Sequence, residues 1–407
     1  MSMTLGTSLI GYCTNVHAGT DTDSILANLR KCALPVRERL GQDQLGVGLW
    51  FSQVAARDLL HQGRLANFRE QLQQMGLVPY TINGFPQQDF HQSVVKHRVY
   101  QPAWWETSRL EYTRDLVKLL DQLLPEGLSG SISTLPIGWG AEVYEHPEGP
   151  SRCDQAATNL LQLAQELEEL YQRTGRRIRI ALEPEPGCVF TDNASLRAFY
   201  ERYWSTPAVS AAKGAIAREY LTICHDVCHS AVMGEDQLEQ LVESKSIGIS
   251  VGKVQVSSAI RVPWSRLDND QQQQAFNQLA QFAEDRYLHQ TMTVDREGVC
   301  RLVEDLPQIL DRYFDRGTLK STAAVDDREW RIHFHVPIYV PSWGLIESTQ
   351  SQIDAWIELS KERPDLLDTE LAYEVETYAW GVLPVELRRS RLDEGIAEEI
   401  AWLKSKF

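Results

Sequence analysis

The stretch YLTICHDVCHSAV (residues 220–232) shows the pattern that predicts the fold of this chain. An apolar run rich in β-forming residues ends in Asp226, and His229 follows three residues later, where the next turn or helix begins. One backbone turn can aim both side chains at one point. The pair is therefore a candidate for a mixed oxygen and nitrogen metal site or for an acid–base pair.

Other polar side chains also lie at or just past the end of an apolar, strand-like run. Side chains at the ends of successive strands converge only if the strands lie side by side. A parallel barrel has this arrangement and carries its chemistry at the carboxyl ends of its strands. Together with Asp226 and His229, the residues at or just past strand ends are Glu183, Gln255, His333, His335 and Glu376.

The chain alternates nine β-like segments with helical patterns. CDQAATNLLQLAQELEELYQRTG (153–175), for example, shows the apolar spacing of a helix and ends at a glycine. Strands that alternate with helices form a parallel sheet, so we predict an α/β fold, a (β/α)8 barrel. The strand candidates are residues 8–15, 46–52, 77–84, 130–136, 177–184, 220–227, 247–258, 330–337 and 371–378.

Nine strands are one more than this barrel needs, and the spare one is assigned to an insertion. RIHFHVP (331–337) is expected to form a short strand within a long insertion, over about 259–330, between the seventh and eighth barrel strands. The last residues predict a C-terminal helical extension over about 385–407. Because no linker rich in Pro, Gly or Ser divides the chain, residues 1–407 are predicted to form one domain.

Charge and apolar patterning exclude several classes of protein. The formal net charge of −16 is spread along the 407 residues, and no block is rich in Lys and Arg, which argues against nucleic acid as a partner. No window is apolar and long enough for a transmembrane helix, and the N-terminal residues lack the regions of a signal peptide. Seven cysteines, an odd number, suit reduced thiols. We therefore expect a cytoplasmic protein without direct membrane insertion.

The donor set predicts one or two divalent ions. Oxygen and imidazole donors suit Mn, Zn, Co or Mg. His333 and His335 lie two apart on a predicted strand, so both imidazoles can reach one ion. The amide oxygen of Gln255 can complete a metal shell, and a buried glutamine satisfied by backbone groups is the alternative.

The glutamates at strand ends have structural alternatives. Glu183 ends a buried strand and needs a cation or a hydrogen-bond network, which a structural Arg or Lys can also supply. Glu374 and Glu376 share one face of the last strand, where like charges repel unless a cation or a shared proton intervenes. We assign Glu376 to the metal and Glu374 to substrate binding. Cys224 and Cys228 are interpreted as small buried residues rather than ligands.

Residues outside this set are candidates for contacts with a substrate. Arg261 follows a strand end and can bind a phosphate or carboxylate, with a surface ion pair as the alternative. His17 and Asn83 lie in or near loops after early strands and can line a pocket, with ordinary loop structure as the alternative.

Four of these segments resemble one superfamily. ALEPEPG (181–187), CHDVCHSAV (224–232), KVQVSSAIR (253–261) and EVETYAW (374–380) are similar to the strand-end series of the xylose isomerase-like superfamily, which includes sugar-phosphate isomerases and epimerases and endonuclease IV. The resemblance implies a TIM barrel with a divalent metal at the strand ends. The ligands it implies for one ion are Glu183, Asp226, Gln255 and Glu376, and for a second ion His229, His333 and His335, with Asp226 bridging the two.

A second resemblance covers nearly the whole chain. GYCTNVH (11–17), TINGFP (81–86), VVKHRVYQPAWW (94–105) and HFHVPIYV (333–340) are similar to EboE, the metabolite traffic protein family of the bacterial Ebo gene cluster. That cluster is linked, in cyanobacteria, to export of a precursor of the pigment scytonemin. The resemblance implies a small-molecule metabolite and other Ebo-cluster proteins as partners.

Three functions are compatible with these residues. The first is an isomerase or epimerase that acts on a small polar metabolite, with Glu183 and Glu376 as the catalytic groups that move a proton beside a metal-polarised carbonyl. The second is a non-catalytic metabolite-binding or carrier protein, because Gln255 stands where relatives have a histidine or aspartate ligand. The third is a metal-dependent phosphodiesterase, which the histidines suit and the negative charge opposes.

Overall fold

Eight parallel strands close into a barrel in the computed structural model, which describes residues 9–61, 63–315, 318–320, 325–368 and 371–407. The first eight residues, where the first predicted strand begins, lie outside the described residues. The predicted (β/α)8 barrel is confirmed. In order around the barrel, the strands are β1 (Leu9–Cys13), β2 (Leu45–Trp50), β3 (Leu77–Asn83), β4 (Gly130–Thr134), β5 (Ile178–Leu182), β6 (Leu221–Asp226), β7 (Val251–Val256) and, after the eight strands of an insertion, β16 (Ala372–Val375).

Helices follow the barrel strands except β7, which leads directly into the insertion. The longest helix carries a proline in its first turn and ends at Gly175, whose φ of 71° suits a residue without a Cβ. The helices are α1 (Thr22–Asn28), continued by a π-turn (Leu29–Ala33) into α2 (Leu34–Arg39), α3 (Gln53–Leu59), α4 (Arg64–Gln74), α5 (Thr107–Leu123), α6 (Ala141–Tyr144), α7 (Gly149–Thr174), α8 (Asn193–Trp204), α9 (Ala211–Tyr220), α10 (Val227–Met233), α11 (Gln237–Ser246), α12 (Asn269–Leu279), α13 (Leu306–Tyr313), α14 (Gln350–Glu362) and α15 (Leu392–Lys404).

The insertion between β7 and β16 is an antiparallel sheet that lies beside the barrel. Its strands are β8 (Ser258–Val262), β9 (Thr291–Val294), β10 (Cys300–Val303), β13 (Glu329–Val336), β14 (Ser342–Trp343) and β15 (Ile346–Ser348), and β11 (Phe314–Asp315) and β12 (Thr318–Leu319) form a separate two-stranded pair. The sheet has the order β10-β9-β13-β8-β15-β14, and β13 is the strand predicted at residues 330–337. Residues 316–317 and 321–324 of the predicted insertion lie outside the described residues.

Two irregularities in the strands position the site. The segment predicted as one strand over 247–258 forms two, because the chain leaves the barrel between β7 and β8, at Ser257. In β13, the register against β8 shifts between Ile332 and Val336. Such bulges re-aim side chains near functional sites. Here the shift covers the two predicted histidine ligands of β13 and turns them toward the barrel.

A buried ion pair fills the barrel interior below the site. The Lys253 ammonium lies 2.6 Å from a Glu374 carboxylate oxygen, and both side chains are fully buried. Lys253 also donates to the Ser133 hydroxyl at 3.0 Å. The facing position in β2 is Gly48, where a Cβ atom would lie 1.4 Å from a Glu374 oxygen. The barrel therefore accommodates this carboxylate only because residue 48 has no side chain.

The C-terminal helix supports two loops that lead to the site. Glu399 of α15 is completely buried, and its carboxylate accepts hydrogen bonds from the Thr377 hydroxyl, the Ile338 backbone N–H and the Trp380 indole. These residues follow β16 and β13. Burial raises the pKa of Glu399 to about 7. Among the helices of the described residues, none is long and apolar enough to cross a bilayer.

The Gly48→Ala substitution is expected to lower the free energy of unfolding by about 3 kcal/mol or more, because the new methyl group displaces one member of a fully buried ion pair. Gly381→Ala is the matched control, since its Cβ meets nothing within 4 Å, and it should change stability by less than about 0.5 kcal/mol. Urea unfolding of the three proteins measures both values. Equal stability of the two variants would contradict this account of the barrel interior.

The raised pKa of Glu399 predicts a pH-dependent contribution to stability. Its folded-state pKa of about 7 exceeds the ordinary value of 4.5. The contribution of Glu399 to the free energy of unfolding is therefore fully present below pH 4.5 and is lost as the pH rises through 7. The free energy of unfolding of Glu399→Gln, measured relative to that of the wild type, should rise by about 3 kcal/mol between about pH 5 and about pH 8, at about 1.4 kcal/mol per pKa unit. Urea unfolding at the two pH values measures the difference. A difference that does not change with pH would show that Glu399 is not protonated in the native state.

Candidate metal centre

Six of the seven predicted ligands meet at the carboxyl ends of the barrel strands. They are all buried, and their donor atoms form overlapping groups in which every atom lies within 4.8 Å of the others. β5, β6 and β16 supply the carboxylates, α10 supplies one histidine and β13 of the insertion supplies two. The six residues are Glu183, Asp226, His229, His333, His335 and Glu376.

Three carboxylates form the first group. Oxygens of Glu183, Asp226 and Glu376 lie within 4.8 Å of one another. Glu183 Oε2 and Asp226 Oδ2 are buried without a hydrogen-bond partner among the described residues. Burial and the neighbouring carboxylates raise the pKa of Glu183 and of Glu376 well above the ordinary value. A divalent cation would relieve both the repulsion and the missing hydrogen bonds, so this group fits a metal ion.

Three imidazoles form the second group, and their acceptors fix their tautomers. His229 Nδ1 lies 2.9 Å from the Pro184 carbonyl oxygen, and His335 Nδ1 contacts the Glu376 carbonyl oxygen. A carbonyl oxygen only accepts, so each Nδ1 carries the hydrogen and donates it. In the neutral ring, each Nε2 therefore presents a lone pair. Burial lowers the pKa of His335 to about 4, which keeps this ring neutral at neutral pH.

The third imidazole is held in the same way by a side-chain amide. His333 Nδ1 lies 2.8 Å from Gln290 Oε1, while Gln290 Nε2 donates to Glu185 and to the Pro186 carbonyl, both at 3.1 Å. Those acceptors fix the orientation of the amide, so His333 also donates through Nδ1. Its Nε2 faces His229 Nε2 at 3.1 Å. When both rings are neutral, each of these two atoms carries a lone pair, and a cation shared between them would bind both.

Asp226 joins the two groups. Its Oδ1 accepts hydrogen bonds from the His229 backbone N–H at 3.0 Å and from the Ser257 hydroxyl at 2.8 Å. The same residue is the N-cap of α10, which explains why a strand end and a helix start aim at one point. Its free Oδ2 lies 3.9 Å from His229 Nε2 and 3.8 Å from His335 Nε2. One oxygen atom therefore faces both groups.

Glu185 is a member of the centre that the sequence pattern did not reveal. Its carboxylate accepts from the Tyr100 hydroxyl at 2.8 Å and lies 3.6 Å from His333 Nδ1. Together with His229 and His333 it forms a further group of possible ligands. Prolines flank it on both sides, and its spacing of two from Glu183 is the signal that could have placed the two side chains together. Gln290, inside the insertion, carried no signal at all.

Cysteine is a poorer ligand here. Cys228 Sγ lies within 4.8 Å of nitrogen atoms of His333 and His335. However, burial and the charge of Asp226 raise the pKa of the Cys228 thiol well above its ordinary value, so the sulfur stays protonated. This agrees with its interpretation as a small buried residue.

Gln255, the seventh predicted ligand, bonds through its amide oxygen to a cysteine on β6. It is completely buried, and its Oε1 accepts from Cys224 Sγ at 2.7 Å. Its predicted role as a ligand stays a prediction, which a substitution described below tests.

The four residues predicted to contact a substrate lie in different parts of the structure. Asn83 lines the pocket above the centre and donates to Glu376 Oε1 at 2.9 Å. Glu374 is paired with Lys253 inside the barrel, and His17 contacts the Tyr12 hydroxyl at 3.2 Å with its pKa lowered to about 3 by burial. Arg261 lies on the insertion sheet, where Glu329 and Glu347 bind its guanidinium. The structure thus brings only Asn83 of these four to the centre.

An open pocket leads from the centre to the surface. It encloses about 540 Å³ of space, its mouth included, and its floor is formed by the glutamates and histidines of the centre. Its walls are largely apolar. The wall residues include Phe85, Phe90, Val95, Val99, Tyr100, Tyr287, Leu288 and Tyr378.

Solved structures share this fold, whereas no protein-family model and no curated protein matches the chain. A xylose isomerase-like TIM barrel protein from Mycobacterium smegmatis, in complex with magnesium, aligns over 100% of this chain and 98% of its own at 12% identity and a TM-score of 0.52. An IolI protein with a bound zinc atom aligns over 98% of this chain and 99% of its own at 11% identity and a TM-score of 0.47.

These findings define the class of the protein. The chain has the fold of the xylose isomerase-like TIM barrels, enlarged by an antiparallel sheet. It carries a buried cluster of His, Glu and Asp side chains whose donor atoms fit divalent metal ions.

The hydrogen bond from His333 to Gln290 predicts how the centre binds zinc. Gln290→Leu removes the acceptor that orients His333 and should weaken zinc binding by about 10- to 100-fold. Gln255→Leu is the matched control and should leave the affinity within about threefold, because Gln255 bonds to Cys224 instead. Calorimetric titration of the metal-free proteins measures both. Weaker zinc binding by the Gln255 variant would make Gln255 a ligand after all.

Proposed function

We propose that this protein is a metal-dependent isomerase or epimerase that acts on a small molecule with adjacent carbonyl and hydroxyl groups. The observation that carries the proposal is the pair Glu183 and Glu376. Both are buried beside Asp226 at the floor of the pocket, and the pKa of each is raised by burial and by neighbouring carboxylates. Carboxyl groups with raised pKa values can exchange protons near neutral pH.

The two glutamates differ in what holds them, which assigns their roles. Glu376 Oε1 accepts hydrogen bonds from Asn15 at 2.8 Å and Asn83 at 2.9 Å, so this carboxylate is fixed in place. Glu183 Oε2 has no partner among the described residues. Glu183 is therefore the base that removes the proton from carbon, and Glu376 returns one from the other side. A bound divalent ion would stabilise the negative charge that develops on the substrate oxygen.

The carrier function is the second candidate, and Gln255 favours it. Its amide bonds to Cys224 and leaves the carboxylate group one ligand short of the four that the resemblance to the superfamily implies. The resemblance to the EboE family points the same way, toward metabolite traffic with other Ebo-cluster proteins as partners. In this form the protein would bind a metabolite at its metal centre without turning it over.

Phosphodiester hydrolysis is supported less. Three imidazoles around shared ions suit it, but Lys96 is the one cationic Lys or Arg among the residues that line the pocket, and its ammonium pairs with Asp305. A phosphate ester would meet no further Lys or Arg on the pocket wall in the described part of the chain.

Deuterium exchange from heavy water tests the enzymatic proposal. We expect the metal-loaded protein to exchange the proton on the hydroxyl-bearing carbon of phenacyl alcohol or hydroxyacetone, measured by mass spectrometry. Glu183→Gln should reduce the exchange rate by at least about 100-fold, because the base is lost. Glu235→Gln, which alters a half-buried glutamate outside the centre, is the control and should retain the wild-type rate.

The outcomes separate the candidates. Exchange that survives Glu183→Gln would remove Glu183 as the base. Binding of both metal and ketone without any exchange would select the carrier function. Metal analysis of each variant shows whether loss of exchange reflects loss of the ion.

A further inference from the structure

Three aromatic rings form one continuous wall of the pocket. The ring centroids of Phe90 and Tyr287 lie 4.9 Å apart, those of Phe90 and Tyr378 lie 5.3 Å apart, and those of Tyr287 and Tyr378 lie 5.1 Å apart. Phe90 follows β3, Tyr287 belongs to the insertion and Tyr378 follows β16. Three separate segments therefore contribute to one apolar surface, which we call the aromatic wall.

The aromatic wall begins at the metal centre itself. The Tyr378 ring centroid lies 4.6 Å from that of the His335 imidazole, and Tyr378 is two residues beyond Glu376. Any molecule that reached the ligand atoms with one end would lay its other end against these rings. Val95, Val99 and Leu288 extend the apolar surface around them.

Most polar groups of the pocket walls are already bonded to the protein, and the Tyr378 hydroxyl is an exception without a hydrogen-bond partner in the described residues. The Tyr287 hydroxyl donates to the Phe90 carbonyl at 3.3 Å, and the Tyr100 hydroxyl donates to Glu185. The ammonium of Lys96 pairs with Asp305. The side-chain amides of Asn15 and Asn83 donate to Glu376, which leaves Asn15 Oδ1 as a buried acceptor without a partner in the described residues.

This distribution is unsuitable for a sugar or a sugar phosphate. A polyol needs several hydrogen-bond partners along its length, and desolvating hydroxyl groups against aromatic rings costs free energy. A phosphate needs an unpaired cation or several N–H donors. The walls offer Asn15 Oδ1 as an acceptor and the Tyr378 hydroxyl as a second polar group, and both can serve only polar atoms next to the metal-binding end.

We propose that the ligand of this pocket is a molecule with a flat apolar body, aromatic or cyclic, and one oxygen-bearing chelating end. The chelating end lies on the glutamates and histidines, and the body lies against the aromatic wall. This inference rests on the proposed metal centre and adds the substrate class to it. It applies equally to an enzyme and to a carrier, because both must bind the same molecule.

A matched pair of chelators tests the substrate class. Benzohydroxamate and acetohydroxamate bind metals through the same group and differ in a phenyl ring against a methyl group. Calorimetric titration of the zinc-loaded full chain should show benzohydroxamate binding about 30-fold more tightly, the gain expected when one phenyl-sized apolar surface is buried. Erythritol and inorganic phosphate should not displace it.

Substitutions assign the gain to the aromatic wall. Phe90→Ala should remove most of the preference for benzohydroxamate while it leaves acetohydroxamate binding within about twofold. Phe90→Leu retains apolar volume without a flat ring and gives an intermediate preference, and it serves if the alanine variant does not fold. Phe407→Ala is the control, because Phe407 is exposed and does not line the pocket. This variant should keep the wild-type preference for benzohydroxamate.

The outcomes distinguish a failure of the proposed metal centre from a failure of the inference about the apolar body. If neither hydroxamate binds the zinc-loaded protein, the proposed metal centre is wrong. If both bind equally, or if the preference survives Phe90→Ala and Phe90→Leu, the centre stands and the inference about the apolar body is overturned. Displacement by erythritol or phosphate would overturn it in favour of a sugar-like ligand.

Discussion

Repulsion among buried donors of one kind is the constraint on which the site depends. Three carboxylates lie within 4.8 Å of one another, and the Nε2 atoms of His229 and His333 face each other at 3.1 Å. Like charges cost free energy in a buried space, and so do the facing lone pairs of two neutral imidazoles. The hydrogen bonds behind each donor hold it there. This is the arrangement expected of ligands that are positioned before the ion binds.

The barrel compensates part of this cost from below. Lys253 is fully buried beneath the centre, and its positive charge lowers the pKa of both Glu183 and Glu376, against the larger effects that raise them. Glu374 neutralises that lysine in turn and occupies the space that Gly48 leaves open. The predicted alternation of Glu374 and Glu376 on one strand face is correct, yet the two residues do different things. Depth in the barrel separates a structural carboxylate from one that faces the pocket.

The residues that sequence reasoning could find are those whose position follows from strand geometry. Asp226 ends an apolar run and caps the following helix, so one short stretch of sequence contains the whole arrangement. His333 and His335 are recognisable because a strand places alternate residues on one face. Glu185 and Gln290 act through contacts between segments distant in sequence, 105 residues apart. No local pattern encodes such a contact, and the same holds for the pairing of Arg261 with Glu347 on the insertion sheet.

The insertion changes what the barrel can bind. Barrel strands alone would supply Glu183, Asp226 and Glu376, an all-oxygen group. β13 adds two imidazoles, and the register shift in that strand aims them at the same point. The insertion also supplies Tyr287 to the aromatic wall and Gln290 to the hydrogen-bond network behind His333. The insertion therefore adds donors to the centre and forms part of the apolar pocket wall above it. Because the same segment does both, the ligand set and the shape of the pocket are expected to depend on each other: a change that shifts β13 alters metal binding and pocket size together.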